Sequence, residues 1–463
     1  MSAATIGALR QLALQAGAMS MQTIPESVRN QARLCVLDTV GCILAGSRTE
    51  EAQLVLACEP GGSSEAVSIL GTPHRRALRE AMRINGYLGD VLELNDLIGG
   101  HASIGIVSAA LALGEALGSS GSRALEAVVR GIEVTSRVYD AVYPTLRRYT
   151  EMALVPVGIP SSIGAAAAAA HLLDLGEEQT LNALAIAGGL AGWCPAEVIF
   201  GNGGTFKPML FGAQPADAGV TAAYYARAGM TGPRDLLDSK VGYFATAATD
   251  GRFDAAGWTG RWALAQPRRK LHACCGYLHA PVDALGKLRQ RLGQDALQQG
   301  RIEVRVAPYV ADVVSKEHLP SSPNDARFHL QYCLAVVACG ADVILPEHSI
   351  QFAEQLRHAE VLDAMRRIAV VQDPGLAHYH HCRVGIVDAA GRSSSQSVSA
   401  PRGSPQDALS DDEVIGKFRM LAEPVLGPER TRRAIADCLA LEDIADVREL
   451  LASLSTSTKG AHP

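Results

Sequence analysis

The sequence lacks the short motifs that identify many cofactor-using and nucleophile-using enzymes. It has no GxGxxG after a strand-like run, no GxxxxGK[ST] and no GxSxG, which argues against dinucleotide-binding folds, P-loop folds and α/β-hydrolases. It also has no CxxC pair and no Cys/His spacing typical of zinc sites, although it contains 10 cysteines. Scattered cysteines of this kind are typical of reduced, buried thiols.

Strong charge and long apolar runs are also missing. The net charge is −6 and no basic stripe is present, which argues against nucleic acid or an anionic membrane surface as a partner. No apolar run reaches the length of about 18 residues that a membrane-spanning helix needs. The N-terminal segment has no basic start followed by an apolar core, so we expect no signal peptide and a cytoplasmic protein.

The composition that is present favours closely packed helices. A chain of 463 residues exceeds what one hydrophobic core usually organises, so we expect two domains. Aromatic residues make up only 5% of the chain, whereas glycine occurs 45 times. Small side chains let helices approach each other closely, because the distance between helix axes depends on the side chains at the contact.

Hydrophobic periodicity divides the chain into two kinds of region. Residues 1–265 follow the helical period, and this pattern returns over residues 405–463. Between them, Arg301–Val306 alternates polar and apolar residues, and Arg392–Val398 fits the second strand of a hairpin. We therefore predict a mainly α fold, in which residues 1–265 and 405–463 form a large all-helical domain and residues 266–404 form a smaller α+β domain.

Acidic residues and a histidine precede a predicted buried helix. The stretch 85–103 contains Asp90, Glu93, Asp96 and His101. A histidine at the start of a helix, with carboxylates nearby, can act as a general acid or base. A helix-capping loop with solvated acids would have the same composition, and the residues alone favour neither interpretation.

Basic residues occur in two later stretches. Lys207 stands alone among glycines and apolar residues, where burial would lower its pKa by disfavouring the charged form; the alternative is a surface lysine with a packed stem. The stretch 268–285 surrounds a Cys274-Cys275 pair and could bind one or two carboxylates. The cysteines fit a core better than a nucleophile, because no base accompanies them. The basic and histidine members of this stretch are Arg268, Arg269, Lys270, His272 and His279.

Three further histidines lie close together in the sequence. His378, His380 and His381 form an HYHH pattern. A metal site needs ligands that converge in space, and this spacing fits a polar loop or a strand edge as well. We therefore predict no metal site.

Taken in order, these stretches resemble the MmgE/PrpD family, which includes 2-methylcitrate dehydratase, cis-aconitate decarboxylase and iminodisuccinate epimerase. The resemblance begins at residues 37–46 (LDTVGCILAG) and continues through residues 85–121 and Phe206-Lys207-Pro208. It then covers residues 270–284 and Asp325-Ala326-Arg327-Phe328. Each fragment is short, and their order and spacing carry the resemblance.

The resemblance implies a fold, an oligomeric state, a site location and a cofactor requirement. Its members have a large helical domain and a smaller α+β lid domain, with the C-terminal helices returning to the large domain. They are typically homodimers, their site lies between the domains, and they need neither a metal nor an organic cofactor. The shared chemistry removes a proton next to a carboxylate of a small di- or tricarboxylate. We expect this protein to share that fold, oligomeric state, site location, lack of cofactor and reaction chemistry.

Four residues match the family's motifs. His101 corresponds to the histidine of an HPS-like motif that reads HAS here, and Asp96 lies in the acidic loop before it. Lys207 matches the lysine after a glycine-rich loop, and Lys270 matches the lysine that opens the lid domain. The resemblance thus implies that His101, Asp96 and Lys207 are catalytic. It also implies that Lys270 binds substrate, and we add Arg269 and His279 to the substrate-binding set.

One departure from the family's pattern bears on which reaction is catalysed. Dehydratase and decarboxylase members carry a second histidine before the alanine-rich helix, whereas residues 155–164 read VPVGIPSSIG here. An epimerase needs one proton-handling group on each face of the substrate and no acid for a leaving hydroxyl. Our first hypothesis is therefore an iminodisuccinate-epimerase-like enzyme, with Tyr149 as the candidate on the second face. The alternatives are a 2-methylcitrate-dehydratase-like lyase, with His101 as the acid, and an inactive carboxylate-binding protein.

Overall fold

The structure is a computed structural model that describes residues 6–59, 61, 66–202, 204–388 and 390–456. Both outer ends of the predicted helical domain, residues 1–5 and 457–463, lie outside this range. Within it the chain forms 22 α-helices and six short strands, which confirms the predicted mainly α fold with a smaller α+β region. None of the described helices combines the length and the apolar character needed to cross a membrane.

The first half of the chain is built almost entirely from helices. One short strand pair, β1 (Val67–Ser68) with β2 (Arg75–Arg76), interrupts them, and the all-helical prediction did not include it. The helices are α1 (Ala8–Ala18), α2 (Glu26–Gly46), α3 (Glu50–Cys58), α4 (Leu78–Asp90), α5 (Ala102–Leu117), α6 (Gly121–Asp140), α7 (Gly158–Leu172), α8 (Glu177–Leu190), α9 (Ala196–Asn202), α10 (Gln214–Arg227) and α11 (Tyr243–Ala247).

The region from residue 266 to residue 404, predicted as the lid domain, combines helices with one sheet. Its strands are β3 (Arg301–Val306), β4 (Ile368–Gln372), β5 (Cys382–Val387) and β6 (Ser393–Val398). Its helices are α12 (His279–Leu292), α13 (Gln294–Gln299), α14 (Pro308–Val314), α15 (Pro323–Arg327), α16 (Leu330–Ala338), α17 (Pro346–Ile350), α18 (Phe352–Gln355) and α19 (Ala359–Arg367).

The sheet has the strand order β4-β3-β5-β6. β3 pairs with β4 in parallel and with β5 antiparallel, and β5 and β6 form the antiparallel pair expected from the sequence. The alternation read from β3 is also observed, because Ile302, Val304 and Val306 are buried while Arg301 and Glu303 are exposed. The buried side of this sheet belongs to a core made of residues 274–398.

The C-terminal helices share the core of the N-terminal helices. They are α20 (Asp411–Leu426), α21 (Pro428–Leu439) and α22 (Val447–Leu454), and their apolar residues join one core with α1 to α8 and α10. On α20, the Lys417 Nζ lies 2.7 Å from Asp38 Oδ1 on α2 and donates to the Leu94 carbonyl oxygen at 2.7 Å. The domain boundaries at residues 265 and 405 stay predictions.

Glycine allows the central helices to touch through their backbones. Gly164 on α7 faces α6, where a Cβ added at this position would overlap Thr135 Oγ1 and the Gly131 carbonyl oxygen. The alanine run 165–170 continues the same buried helix. The excess of small residues in the composition therefore corresponds to close helix–helix contacts.

Replacing Gly164 with alanine is expected to lower the free energy of unfolding by about 1–3 kcal/mol, because the added methyl group meets the backbone of α6. Urea unfolding followed by circular dichroism measures this change. Gly189→Ala is the matched control, since nothing lies within 4 Å of a Cβ there, and it should keep or raise stability. Equal stability of Gly164→Ala and the parent protein would show that α6 and α7 separate without cost.

Candidate active site

One cavity brings the predicted catalytic stretches together. It is lined by the first helical region and by residues 266–404. The charged and polar lining residues are Glu93, His101, Lys207, Arg268 and Cys275, and the aromatic ones are Tyr139, Tyr143, Tyr149, Phe200, Phe211, Tyr277, Phe328 and Tyr379.

The loop between α4 and α5 forms one wall in an unusual backbone conformation. Glu93 and His101 have φ angles of 52° and 89°, a left-handed region that non-glycine residues rarely adopt and that costs free energy. Lys270 Nζ donates to the Glu93 carbonyl oxygen at 3.0 Å, and Lys417 Nζ donates to the next carbonyl, that of Leu94. Two buried lysines from later in the chain therefore hold this loop.

Lys207 is a buried cation between two carboxylates. Its Nζ lies 2.7 Å from Asp90 Oδ2, contacts Glu93 Oε1 and sits 4.2 Å from the centre of the Phe211 ring. Burial lowers the pKa of Lys207 to about 8, and the charge of Lys270 acts in the same direction, whereas Asp90 opposes the shift. The amine is therefore mostly charged at neutral pH and close to its deprotonation point.

Glu93 joins the two lysines predicted from the sequence. Its Oε2 accepts from Lys270 Nζ at 2.6 Å, while its Oε1 contacts Lys207. Lys270 is fully buried behind this carboxylate. It does not line the cavity itself but contacts Glu93, which does. Pairing is required here, because an isolated charge removed from water is strongly disfavoured.

His101 is held as a neutral hydrogen-bond donor. Asn95 Nδ2 donates to the Asp96 carbonyl oxygen and to His101 Nδ1, both at 2.8 Å, so Nδ1 accepts and the proton is on Nε2. Burial, with the charge of Lys270, lowers the pKa of His101 to about 3. The Nε2–H has no protein partner within the described residues, which leaves it available to a ligand.

Five of the eleven tyrosines of the chain line this one cavity. The Tyr149 and Tyr277 hydroxyls are 2.6 Å apart, and the Tyr143 hydroxyl lies 3.2 Å from His378 Nε2. Burial raises the pKa of Tyr149 well above its usual range, so its hydroxyl keeps its proton. The tyrosine part of the cavity wall thus offers neutral donors and aromatic surface.

Family models match nearly the whole chain. The model of the MmgE/PrpD N-terminal domain matches residues 10–256, and that of the MmgE/PrpD C-terminal domain matches residues 272–441. The chain belongs to the MmgE/PrpD family. The recognition made from the motifs is therefore confirmed.

Several cis-aconitate decarboxylases are similar to this MmgE/PrpD protein over almost their full length. The cis-aconitate decarboxylase-like protein oryM of Aspergillus oryzae is 27% identical, covering 93% of this chain and 94% of its own. The cis-aconitate decarboxylase of Aspergillus terreus is 25% identical over 99% of this chain and 98% of its own. That of Mus musculus is 24% identical over 92% and 89%, respectively.

Four of the residues singled out from the sequence come together. His101, Lys207 and Tyr149 line the cavity, and Lys270 lies directly behind Glu93. This MmgE/PrpD site therefore contains the histidine and both lysines that the motif comparison selected. Their catalytic and binding roles stay predictions.

Three other selected residues lie outside the cavity lining. Asp96 accepts from Cys35 Sγ at 3.0 Å and from the Ile98 backbone N–H at 3.2 Å, so it shapes the loop rather than facing the cavity. Arg269 points away from the cavity and donates to Gln31 Oε1 at 2.8 Å. His279 is buried, with its ring centre 5.0 Å from that of His272.

Of the cavity tyrosines, only Tyr149 was selected from the sequence, and Arg268, Asp90 and Glu93 were not selected as site residues. Arg268 precedes Arg269 directly, and the sequence cannot tell which of two adjacent arginines faces inward in an irregular segment. Asp90 and Glu93 were visible in the acidic stretch, but only the fold shows that they meet lysines 117 and 177 positions away. The other four tyrosines, Tyr139, Tyr143, Tyr277 and Tyr379, share no sequence pattern that marks them as cavity residues.

The histidine-rich HYHH segment borders this site. Within the part of the chain that the structure describes, no group of three or more His, Cys, Asp or Glu residues could hold a metal ion. The rings of His378 and His380 pack against Tyr379, with ring centres 4.5 Å and 4.4 Å from that of the tyrosine. The segment thus contributes Tyr379 to the cavity wall.

We expect His101 to stay neutral, with its proton on Nε2, between about pH 5 and about pH 8. The reason is its pKa, which burial lowers to about 3. Proton–nitrogen correlation NMR on histidine-labelled protein would show unchanging ring shifts, and His101→Gln would identify these signals. A titration near the usual histidine pKa of about 6.5 would contradict the neutral assignment.

Proposed function

We propose that this protein is a lyase of the decarboxylase type that acts on a small unsaturated carboxylate. The observation that carries the proposal is the buried ammonium group of Lys207 at the cavity wall. This group holds one proton ready for transfer at neutral pH, because its pKa is about 8. Decarboxylation needs one proton to be delivered to a carbon atom, and the Lys207 ammonium group can deliver one.

The proposed step needs only one proton donor, which is Lys207. The substrate has its leaving carboxylate on a carbon next to a C=C bond. The electron pair of the C–CO2 bond forms a new C=C bond, and CO2 leaves. The electron pair of the original C=C bond takes the proton from Lys207 Nζ and forms a new C–H bond. The resulting neutral amine then regains a proton from solvent.

The rest of the wall favours loss of charge at the leaving group. Aromatic side chains of Phe200, Phe211 and Tyr139 surround the cavity, and a carboxylate in such surroundings is destabilised relative to neutral CO2. The Nε2–H of His101 and the tyrosine hydroxyls can stabilise charge that develops on a remaining carboxylate. The names of the fungal and mammalian relatives support the same class of reaction.

Epimerisation is a second candidate, favoured by a different observation. Pro156 and Val157 line the cavity in the segment where dehydratase and decarboxylase members carry a histidine. In an epimerase such as the iminodisuccinate type, neutral Lys207 would remove the proton and Tyr149 would return one on the other face. A dehydratase is less well supported, because neutral His101 is a weak acid for a leaving hydroxyl.

Further expectations accompany this proposal. We propose that the protein acts without a metal or organic cofactor, as a homodimer in the cytoplasm, as the family resemblance implies. An inactive carboxylate-binding protein of the same fold is the remaining alternative, and turnover of any substrate would exclude it.

Proton NMR of the protein in D2O with unsaturated di- and tricarboxylates, cis-aconitate among them, and with 2-methylcitrate and iminodisuccinate tests the reaction class. We expect one of the unsaturated acids to lose CO2 and gain one deuterium at carbon, since Lys207 exchanges its protons with solvent. Deuterium exchange with inversion and no CO2 would establish an epimerase instead. Loss of water from 2-methylcitrate would establish a dehydratase.

A matched pair of lysine variants controls this experiment. Lys207→Met is expected to lower kcat by about 100-fold to about 10,000-fold, the usual contribution of a general acid. Lys287→Met, which changes an exposed lysine on α12, should keep the parent activity. Thermal unfolding checks that both variants fold, and full activity of Lys207→Met would exclude Lys207 as the proton donor.

The pH dependence distinguishes an acid from a base. For a decarboxylase, kcat/KM should fall as the pH rises through about 8, because Lys207 loses the proton that it must donate. For an epimerase that uses neutral Lys207 as the base, kcat/KM should rise through the same pH. Initial rates across this range at low substrate concentration measure the direction, and a flat profile would contradict both roles.

A further inference from the structure

Arg268 differs from the other cations at the cavity. Lys207 is paired with Asp90 and Glu93, and Lys270 is paired with Glu93. These two lysines and two carboxylates cancel in formal charge. Arg268, in contrast, forms no ion pair within the described residues, so the cavity carries one uncompensated positive charge.

The surroundings of Arg268 are aromatic and do not neutralise it. Its guanidinium carbon lies 5.9 Å from the centre of the Tyr143 ring, and its charge opposes the rise that burial causes in the pKa of the Tyr379 hydroxyl. The nearby carboxylate of Asp140 is in an ion pair with Arg261, at 3.4 Å. Arg268 is therefore available as a donor to one anionic ligand group.

We propose that Arg268, with Tyr379, binds one substrate carboxylate and thereby makes the site selective for dicarboxylates over tricarboxylates. The inference rests on the proposed function, in which the second carboxylate is the one that leaves as CO2. Arg268 carries the role that the sequence suggested for Arg269, whose side chain is bound to Gln31.

The remaining lining explains the selectivity. Beyond the charged cluster, the wall is made of tyrosine hydroxyls, aromatic rings and the aliphatic side chains of Val157 and Val313. A third carboxylate would have only neutral donors there, and a buried charge without a countercharge is strongly disfavoured. The same surface accommodates an apolar or unsaturated substituent, so the substrate class is a dicarboxylate that carries such a group.

Calorimetric binding of two saturated acids tests this inference without turnover. Phenylsuccinate is a dicarboxylate with an apolar substituent, and tricarballylate is a tricarboxylate; neither has the double bond that the proposed reaction needs. We expect phenylsuccinate to bind more tightly than tricarballylate. Tighter binding of tricarballylate, or no binding of phenylsuccinate, would overturn the proposed substrate class.

Two adjacent arginines provide the matched comparison. Arg268→Gln should weaken phenylsuccinate binding by about 10-fold to about 100-fold, as expected for loss of a hydrogen bond between charged groups. Arg268→Lys should restore part of the affinity, and Tyr379→Phe should weaken binding less than Arg268→Gln. Arg269→Gln should bind phenylsuccinate with close to the parent affinity, and thermal unfolding confirms that each variant is folded.

The outcomes separate this inference from the proposed function. If Arg268→Gln binds phenylsuccinate as the parent does, or if only Arg269→Gln loses binding, Arg268 is not the carboxylate anchor, whatever the reaction. If the binding pattern is as expected but NMR shows no decarboxylation of any acid, the anchor is correct and only the proposed reaction fails.

Discussion

The carboxylate of Glu93 is the interaction on which the site depends. It lies between Lys207 from the helical region and Lys270 from the start of residues 266–404, with Asp90 as the second countercharge. Removing any member would leave a buried charge without its partner, which is far more costly than the loss of an exposed ion pair. The same carboxylate contacts Lys207 and, by accepting from Lys270, ties the loop that carries His101 to the start of residues 266–404.

This arrangement links the two hydrophobic cores chemically as well as sterically. Lys270 donates to the backbone and to the side chain of Glu93, while Lys417 on a C-terminal helix holds the next residue of the loop and also pairs with Asp38. Three segments that are distant in sequence thus meet at one loop. The precise geometry of the cavity therefore exists only when the helical region, residues 266–404 and the C-terminal helices are assembled.

Periodicity and motif order were enough to predict the fold class, the β5–β6 hairpin and the lysine and histidine stretches, because these features are local in sequence. The short β1–β2 pair was missed, since two residues are too few to show alternation. The direction of side chains in irregular segments could not be predicted either. For that reason Arg269 was selected while Arg268 lines the cavity, and Asp96 was selected while Glu93 joins the lysines. Of the five cavity tyrosines only Tyr149 was predicted, because the other four share no sequence pattern that marks them as site residues.

The left-handed backbone conformation of His101 affects which residue is favoured at this position during evolution. A φ angle of 89° suits glycine, and for other residues the left-handed region costs about 1–2 kcal/mol. Selection for stability alone would therefore place glycine at this position, next to Gly99 and Gly100, which already adopt positive φ angles. A histidine there is a trade-off in which folding free energy is given up for chemistry. An inactive descendant of this chain would be expected to lose the histidine early and become more stable as it did so.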